Sequence, residues 1–338
     1  MVIISRKSIW MARFPGIALA LAITTVATFI GKAIPVIGAP VICIVIGVAI
    51  AAIRKPGEKF RPGIATSSKL ILQISVVLLG SQLSLKEIVK VGFSSLPVML
   101  GSLAVCLAGA YWVGKWLGIV GDLRTLIGVG TGICGASAIA AVTPIVGAAS
   151  VDVAYAISTI FLFNVTAVLI FPFLGHLLGL SQHSFGLFAG TAVNDMSSVV
   201  AASTTYGSVA ANYAIVVKLT RTMLIIPIAL GLATLERRKL RSVESKPNVH
   251  IVRLVPWYLI GFLLVASGNS LGLIPQGIHH DLVQISIFLI AIALAAIGLS
   301  TDITGLRRTG PRPLLLGGIL WILVSVTSLL LQYLSHTL

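Results

Sequence analysis

The amino-acid sequence predicts an all-α polytopic membrane protein with about eleven hydrophobic segments, two of them interrupted near bilayer depth. Three observations predict it. The 338 residues are 57% hydrophobic and only 10% charged, with a mean hydropathy of +1.07, where a soluble domain carries about 25% charged residues. Apolar runs of bilayer-crossing length succeed one another with short spacers, and no linker is long enough to separate two cores, so residues 1–338 read as one transmembrane domain. A motif rich in Gly, Ser and Thr occurs twice, sixty residues apart, inside such runs.

Taken in chain order, the apolar runs fall at 15–31, 34–53, 64–85, 93–118, 126–148, 151–177, 184–206, 210–235, 254–274, 281–303 and 313–334. Arg6, Lys7 and Arg13 precede the first run, but no small-x-small cleavage site follows, so it reads as an uncleaved helix. The spacers hold the basic residues. Arg54 to Arg61, the loop at 236–253 and the group Arg307, Arg308 and Arg312 all come out cytoplasmic if the N-terminus is inside, and His279-His280-Asp281 then lies outside. This arrangement accounts for the net charge of +15 without a nucleic-acid partner, which would need a continuous basic face. A multi-pass protein of the cell (inner) membrane is expected.

The duplicated motif is Gly130-Thr-Gly-Ile-Cys-Gly-Ala-Ser-Ala-Ile-Ala-Ala141 and Gly190-Thr-Ala-Val-Asn-Asp-Met-Ser-Ser-Val-Val-Ala-Ala202. Ala154-Tyr-Ala-Ile157 follows the first copy and Asn212-Tyr-Ala-Ile215 the second, so the repeat units span about 126–180 and 184–238. Paired, Gly-broken segments at membrane depth mark the substrate site of secondary transporters. If both segments cross the bilayer, the copies run parallel; if both are re-entrant hairpins, they are inverted, and the charge pattern fits either. Inverted pairs are the commoner solution. A weaker echo links residues 80–92 with 298–310, out of order for a simple two-half repeat.

Lys218 and Arg221 stand three residues apart, on one face of the helix that follows the second motif. They lie roughly 12 and 16 Å along it, near the middle of a core about 30 Å thick. A charge there costs at least about 2.5 kcal/mol, so each needs a partner or a wet cavity. Asp195 is one partner, through a bridge that only holds helices together. An anionic substrate is the other, and two cations against one carboxylate leave a surplus positive charge for it. Asn194, Thr131, Gly132, Ser137, Thr191, Ser197 and Ser198 are expected as hydrogen-bonding lining beside half-helix N-termini, which bind anions; close helix packing through small residues is the plainer role for them. Asp195 is expected to serve in ion coupling. Gln82, Cys134 and Asn164 are further lining candidates, and Asp152 reads as a helix cap.

Other chemistry has little support. Gly130-Thr-Gly-Ile-Cys-Gly135 fits a dinucleotide-binding pattern, but no βαβ context surrounds it. Cys43, Cys106 and Cys134 are expected as free thiols, the His279-His280-Asp281 group reads as a solvated loop, and no hydrolase motif is present. No cofactor, no metal and no enzymatic activity are expected.

Leu78-Leu-Gly-Ser-Gln-Leu-Ser-Leu85, the two Gly-Thr motifs and Lys218-Leu-Thr-Arg-Thr222 resemble the YeiH-type family of sulfate exporters, over essentially the whole chain. That family is grouped with the cation:proton antiporter and bile-acid symporter-like transporters. The resemblance implies inverted repeats, two crossed discontinuous segments and elevator-like motion of a core against a dimeric scaffold. Asn194-Asp195 is also similar to the Asn-Asp pair of electroneutral sodium/proton antiporters, though Lys218 and Arg221 argue against a pure cation site. The expected function is a secondary transporter, an exporter of a small anion such as sulfate or a sulfonate, coupled to H+ or Na+. A monovalent cation/proton antiporter is the first alternative, and a membrane-embedded enzyme or accessory subunit the second.

Overall fold

The computed structural model describes residues 6–33, 38–239, 256–301 and 310–335. Most of the basic loop at 236–253, Arg307, Arg308 and most of the 298–310 echo lie outside the described residues. Everything described is helix or short connection, with no strand among the described residues. Among the described residues, seven helices are long and apolar enough to cross a membrane. The chain divides into two compact units, residues 1–87 with 257–303, and residues 88–256 with 304–338.

The first unit contains α1 (Arg6–Ala33), α2 (Gly38–Ile53), α3 (Arg61–Thr66) continued through a π-helical turn into α4 (Leu72–Leu79), and later α13 (Trp257–Ser270) and α14 (Gln276–Leu299). Without water to drive helices together in lipid, close backbone approach through small residues does so. A Cβ on Gly47 of α2 would lie 2.6 Å from the Ala295 carbonyl oxygen, and one on Gly298 of α14 would lie 2.5 Å from that of Ile44. Gly16 and Gly63 make the same kind of contact between α1 and α3. Overpacking costs about 1–3 kcal/mol, so Gly298→Val is expected to lower the thermal midpoint of the detergent-solubilised protein by several degrees. An unchanged midpoint would show that this seam is not tight.

The second unit is built on α5 (Leu85–Trp116), whose first turn, carrying a Ser84–Glu87 capping box, falls in the first unit. Then follow α6 (Gly121–Gly132), α7 (Ala136–Val146), α8 (Ser150–Leu177), α9 (Gln182–Ala192), α10 (Met196–Tyr206), α11 (Ser208–Met223), α12 (Ile225–Lys239) and α15 (Pro311–Leu334). Asp152 sits in the first turn of α8, where the helix dipole favours it, but the N-cap is Ala149 and no side chain caps there.

Each copy of the motif is therefore two helices with a three-residue break, at Ile133–Gly135 and at Val193–Asp195. The second pair folds back on itself. Its two ends meet where the Tyr206 hydroxyl donates to the Leu180 carbonyl at 2.5 Å, and where Gln182 Oε1 accepts from the Val209 and Ala210 amides at 3.1 and 3.3 Å. The first pair is sharply bent too, since a Cβ on Gly130 would lie 3.0 Å from the Ile139 side chain.

The long helices share themselves between the two pairs. One apolar cluster joins α6 and α7 to the later half of α5, the start of α8, α12 and the first half of α15. Another joins α9 and α10 to the later part of α8, the start of α11 and the Trp321 and Leu329 side chains of α15. Gly186 and Gly190 then let α9 and α11 touch: a Cβ on Gly190 would lie 2.7 Å from Val217 Cγ1. That contact fixes the register of α11 and brings Lys218 and Arg221 to the breaks.

Candidate functional site

The two breaks meet. A Cβ on Gly135 would lie 3.3 Å from Asp195 Cβ, and Gly135 has φ of +69° with ψ of −133°, a backbone conformation that glycine adopts freely and L side chains rarely do. Gly135→Ala is expected to displace Asp195 and to lower the thermal midpoint of the detergent-solubilised protein by several degrees. An unchanged midpoint would show that the closeness of the breaks is incidental.

Around this junction the electrostatics follow from the helix ends. The C-terminal ends of α6 and α9 converge, each carrying roughly −0.5 of an elementary charge. Lys218, 0% exposed, answers both: its Nζ donates to the Ile133 carbonyl at 2.8 Å and to the Val193 carbonyl at 2.7 Å. The N-terminal ends of α7 and α10 carry the opposite partial charge, and Asp195 is the N-cap of α10, accepting from the Ser197 amide at 3.0 Å and from the Ser197 hydroxyl. Backbone freed by the second break is satisfied by Asn164 of α8, whose Oδ1 accepts from the Asn194 and Asp195 amides at 3.1 and 3.3 Å.

One cation is left over. Arg221 is also 0% exposed; its Nη1 donates to the Thr191 carbonyl, while Nε and Nη2 are buried with no hydrogen-bond partner. Asn194 Oδ1 is likewise buried and unpartnered. Among the described residues no carboxylate lies within salt-bridge distance of Lys218 or Arg221. The Lys218–Asp195 bridge that the sequence offered is thus absent there, because the ammonium is engaged by main-chain carbonyls instead.

The other candidates divide. Thr131, Gly132, Cys134, Thr191, Ser197 and Ser198 are all buried at or beside the breaks. Gly132 has a packing role, since a Cβ there would lie 2.9 Å from Leu103 Cδ1. Ser137 is exposed and its hydroxyl donates locally, to the Cys134 carbonyl at 2.9 Å. Gln82 belongs to the first unit, in the 3-10 turn Gly80–Gln82. Cys43, Cys106 and Cys134 are buried free thiols.

Sequence reasoning missed α15. Ser328 Oγ lies 2.6 Å from Thr191 Oγ1, and Gln332 Nε2 donates to Ser328 Oγ at 3.2 Å, both residues being fully buried. Ser325, Ser328 and Gln332 follow a three- and four-residue spacing along one face of an otherwise apolar helix, a legible signal.

These features define a multi-pass membrane protein with a buried, polar, charge-bearing junction between interrupted helices. The chain belongs to the family described as Conserved hypothetical protein 698, whose profile matches residues 15–317. It is 41% identical over 329 residues to a UPF0324 membrane protein of Streptococcus pyogenes serotype M18, covering 95% of this chain and 97% of the relative. It is 40% identical over 337 residues to a UPF0324 membrane protein of Streptococcus mutans, covering 97% and 98%. To one of Clostridium tetani it is 37% identical over 330 residues, covering 94% and 96%.

Proposed function

We propose that this protein is a secondary transporter, rather than an enzyme, that moves a small anion across the cell membrane through the junction of the two motifs. The observation that carries this reading is Arg221, a fully buried guanidinium with two unpartnered nitrogens. Lys218 offsets the two helix C-termini and Asp195 offsets the two N-termini, so Arg221 is the one charge of the junction left for a guest. Sulfate or a sulfonate moving outward is the first candidate, in keeping with the resemblance to sulfate exporters.

In the same proposal the motifs are hairpins that enter the bilayer from opposite faces. Their arms are 11 or 12 residues long, about 17 Å, or half of a 30 Å core. Separate apolar clusters around each pair, and the meeting ends of α9 and α10, support this over two full crossings. With the N-terminus cytoplasmic, the first hairpin opens inward and the second outward. The unit holding both is the candidate moving core of an elevator, and the dimeric scaffold implied by the resemblance belongs to the same proposal.

Asn194 Oδ1, buried and unpartnered and next in the chain to Asp195, favours H+ or Na+ as the coupling ion, since amide and carboxylate oxygens suit a hard cation. This feature alone would fit a cation/proton antiporter, but such a site has no use for the unpaired edge of Arg221. Uptake of labelled sulfate or of a labelled alkyl sulfonate into proteoliposomes, with and without a pH gradient and with no soluble partner added, tests the proposal. Gradient-stimulated uptake is expected. Sodium/proton exchange with no anion requirement would replace the reading by the antiporter, and dependence on an added soluble partner would favour an accessory subunit.

A further inference from the structure

We propose that the guest at Arg221 is a monovalent oxyanion, gripped through two of its oxygens by the Nε and Nη2 edge of the guanidinium. This rests on the anion reading above and narrows it.

Geometry supplies the first half of the inference. Nη1 is committed to the Thr191 carbonyl, which orients the guanidinium plane. The two unpartnered nitrogens, Nε and Nη2, are those that share one edge of the group. That edge is a fork of parallel donors whose spacing matches two oxygens on one carbon, sulfur or phosphorus atom. A spherical halide has one centre and cannot lie in line with both donors. Thr191 is itself pinned, because its hydroxyl meets Ser328, which in turn accepts from Gln332. The fork is therefore held by α9 and α15 before any guest arrives, and that preorganisation favours binding.

Charge supplies the second half. The converging C-termini of α6 and α9 sum to about −1 and face Lys218; the N-termini of α7 and α10 sum to about +1 and face Asp195. Lys218 and Asp195 match these two sums, and Arg221 adds its own bond to the α9 end through the Thr191 carbonyl. Arg221 leaves a surplus of one positive charge in a fully buried place, and its charged or titratable neighbours are Lys218 and the thiols of Cys106 and Cys134. One negative charge on the guest closes the sum. A dianion would carry an unmatched charge into the bilayer interior, where such charges are costly, unless a proton or cation travels with it. Carboxylates, alkyl sulfonates and singly protonated inorganic oxyanions meet both conditions; chloride fails the first and fully ionised sulfate the second.

The test is ligand-induced thermal stabilisation of the purified full-length protein in detergent at neutral pH, titrated separately with methanesulfonate, acetate, chloride and sulfate. Methanesulfonate or acetate is expected to stabilise with an apparent Kd at least ~10-fold below those of chloride and sulfate, and Arg221→Lys, which keeps the charge and removes the fork, is expected to erase that preference. Chloride or sulfate stabilising as well as methanesulfonate would overturn the monovalent-oxyanion inference and leave anion transport standing. A preference retained in Arg221→Lys would overturn the assignment to the Arg221 edge. Failure of all four anions to stabilise the wild type would overturn the anion reading itself. Should Arg221→Lys not fold, the wild-type series still decides between the guests.

Discussion

Arg221→Gln is expected to abolish anion movement while leaving a folded protein. The substitution removes the surplus charge and both unpartnered donors, and glutamine retains an amide that can reach toward the Thr191 carbonyl. Losing one partner of a buried, hydrogen-bonded charge pair typically costs about 2–5 kcal/mol, so anion affinity should fall on the order of 100-fold or more. Fold integrity is read from size-exclusion behaviour and thermal midpoint, which should stay close to wild type or rise, because a buried unpaired charge is a burden on the empty protein. A variant that transports normally would remove Arg221 from the mechanism.

Lys218→Ala is expected to behave in the opposite way, with loss of the fold's integrity preceding loss of function. Its ammonium is the common partner of the Ile133 and Val193 carbonyls, and it joins the two broken segments across the repeat. Truncation leaves two buried carbonyls unpaired and two helix C-termini without their counter-charge. Leaving a buried acceptor unsatisfied costs about 1–3 kcal/mol, and two such acceptors amount to a large part of a typical protein's stability. The measurement is the thermal midpoint and monodispersity of the variant beside Arg221→Gln. If Lys218→Ala is as stable as wild type but cannot bind anions, Lys218 is a ligand and its bonds to the carbonyls are secondary.

Much of this site was legible in the sequence, for identifiable reasons. The Gly-Thr motifs marked where backbone would leave the helix, and the breaks fall at Ile133–Gly135 and Val193–Asp195, at the Cys-Gly and Asn-Asp positions of the two copies. The three-residue spacing of Lys218 and Arg221 placed both on one face, and both are buried. What the sequence left hidden was main-chain chemistry. Every residue has a carbonyl, so nothing in the residues of Ile133 or Val193 announces that Lys218 ends on them. The contacts that bring the ends of the second pair together were also hidden, because they join Leu180 and Gln182 to Tyr206, Val209 and Ala210 with no charge signal. Ser328 and Gln332, with a helical spacing to recommend them, were passed over.

The central claim, that the junction exists for an anion, is tested most directly by separating anion movement from cation exchange in one preparation. Proteoliposomes carrying a pH-sensitive dye are given an outward sodium gradient with only impermeant polyanions present, and the same vesicles are then given a gradient of labelled methanesulfonate. This account predicts no protein-dependent proton movement in the first condition, and anion movement in the second that disappears in Arg221→Gln. Full sodium/proton exchange in the first condition, equal in wild type and Arg221→Gln, would contradict it.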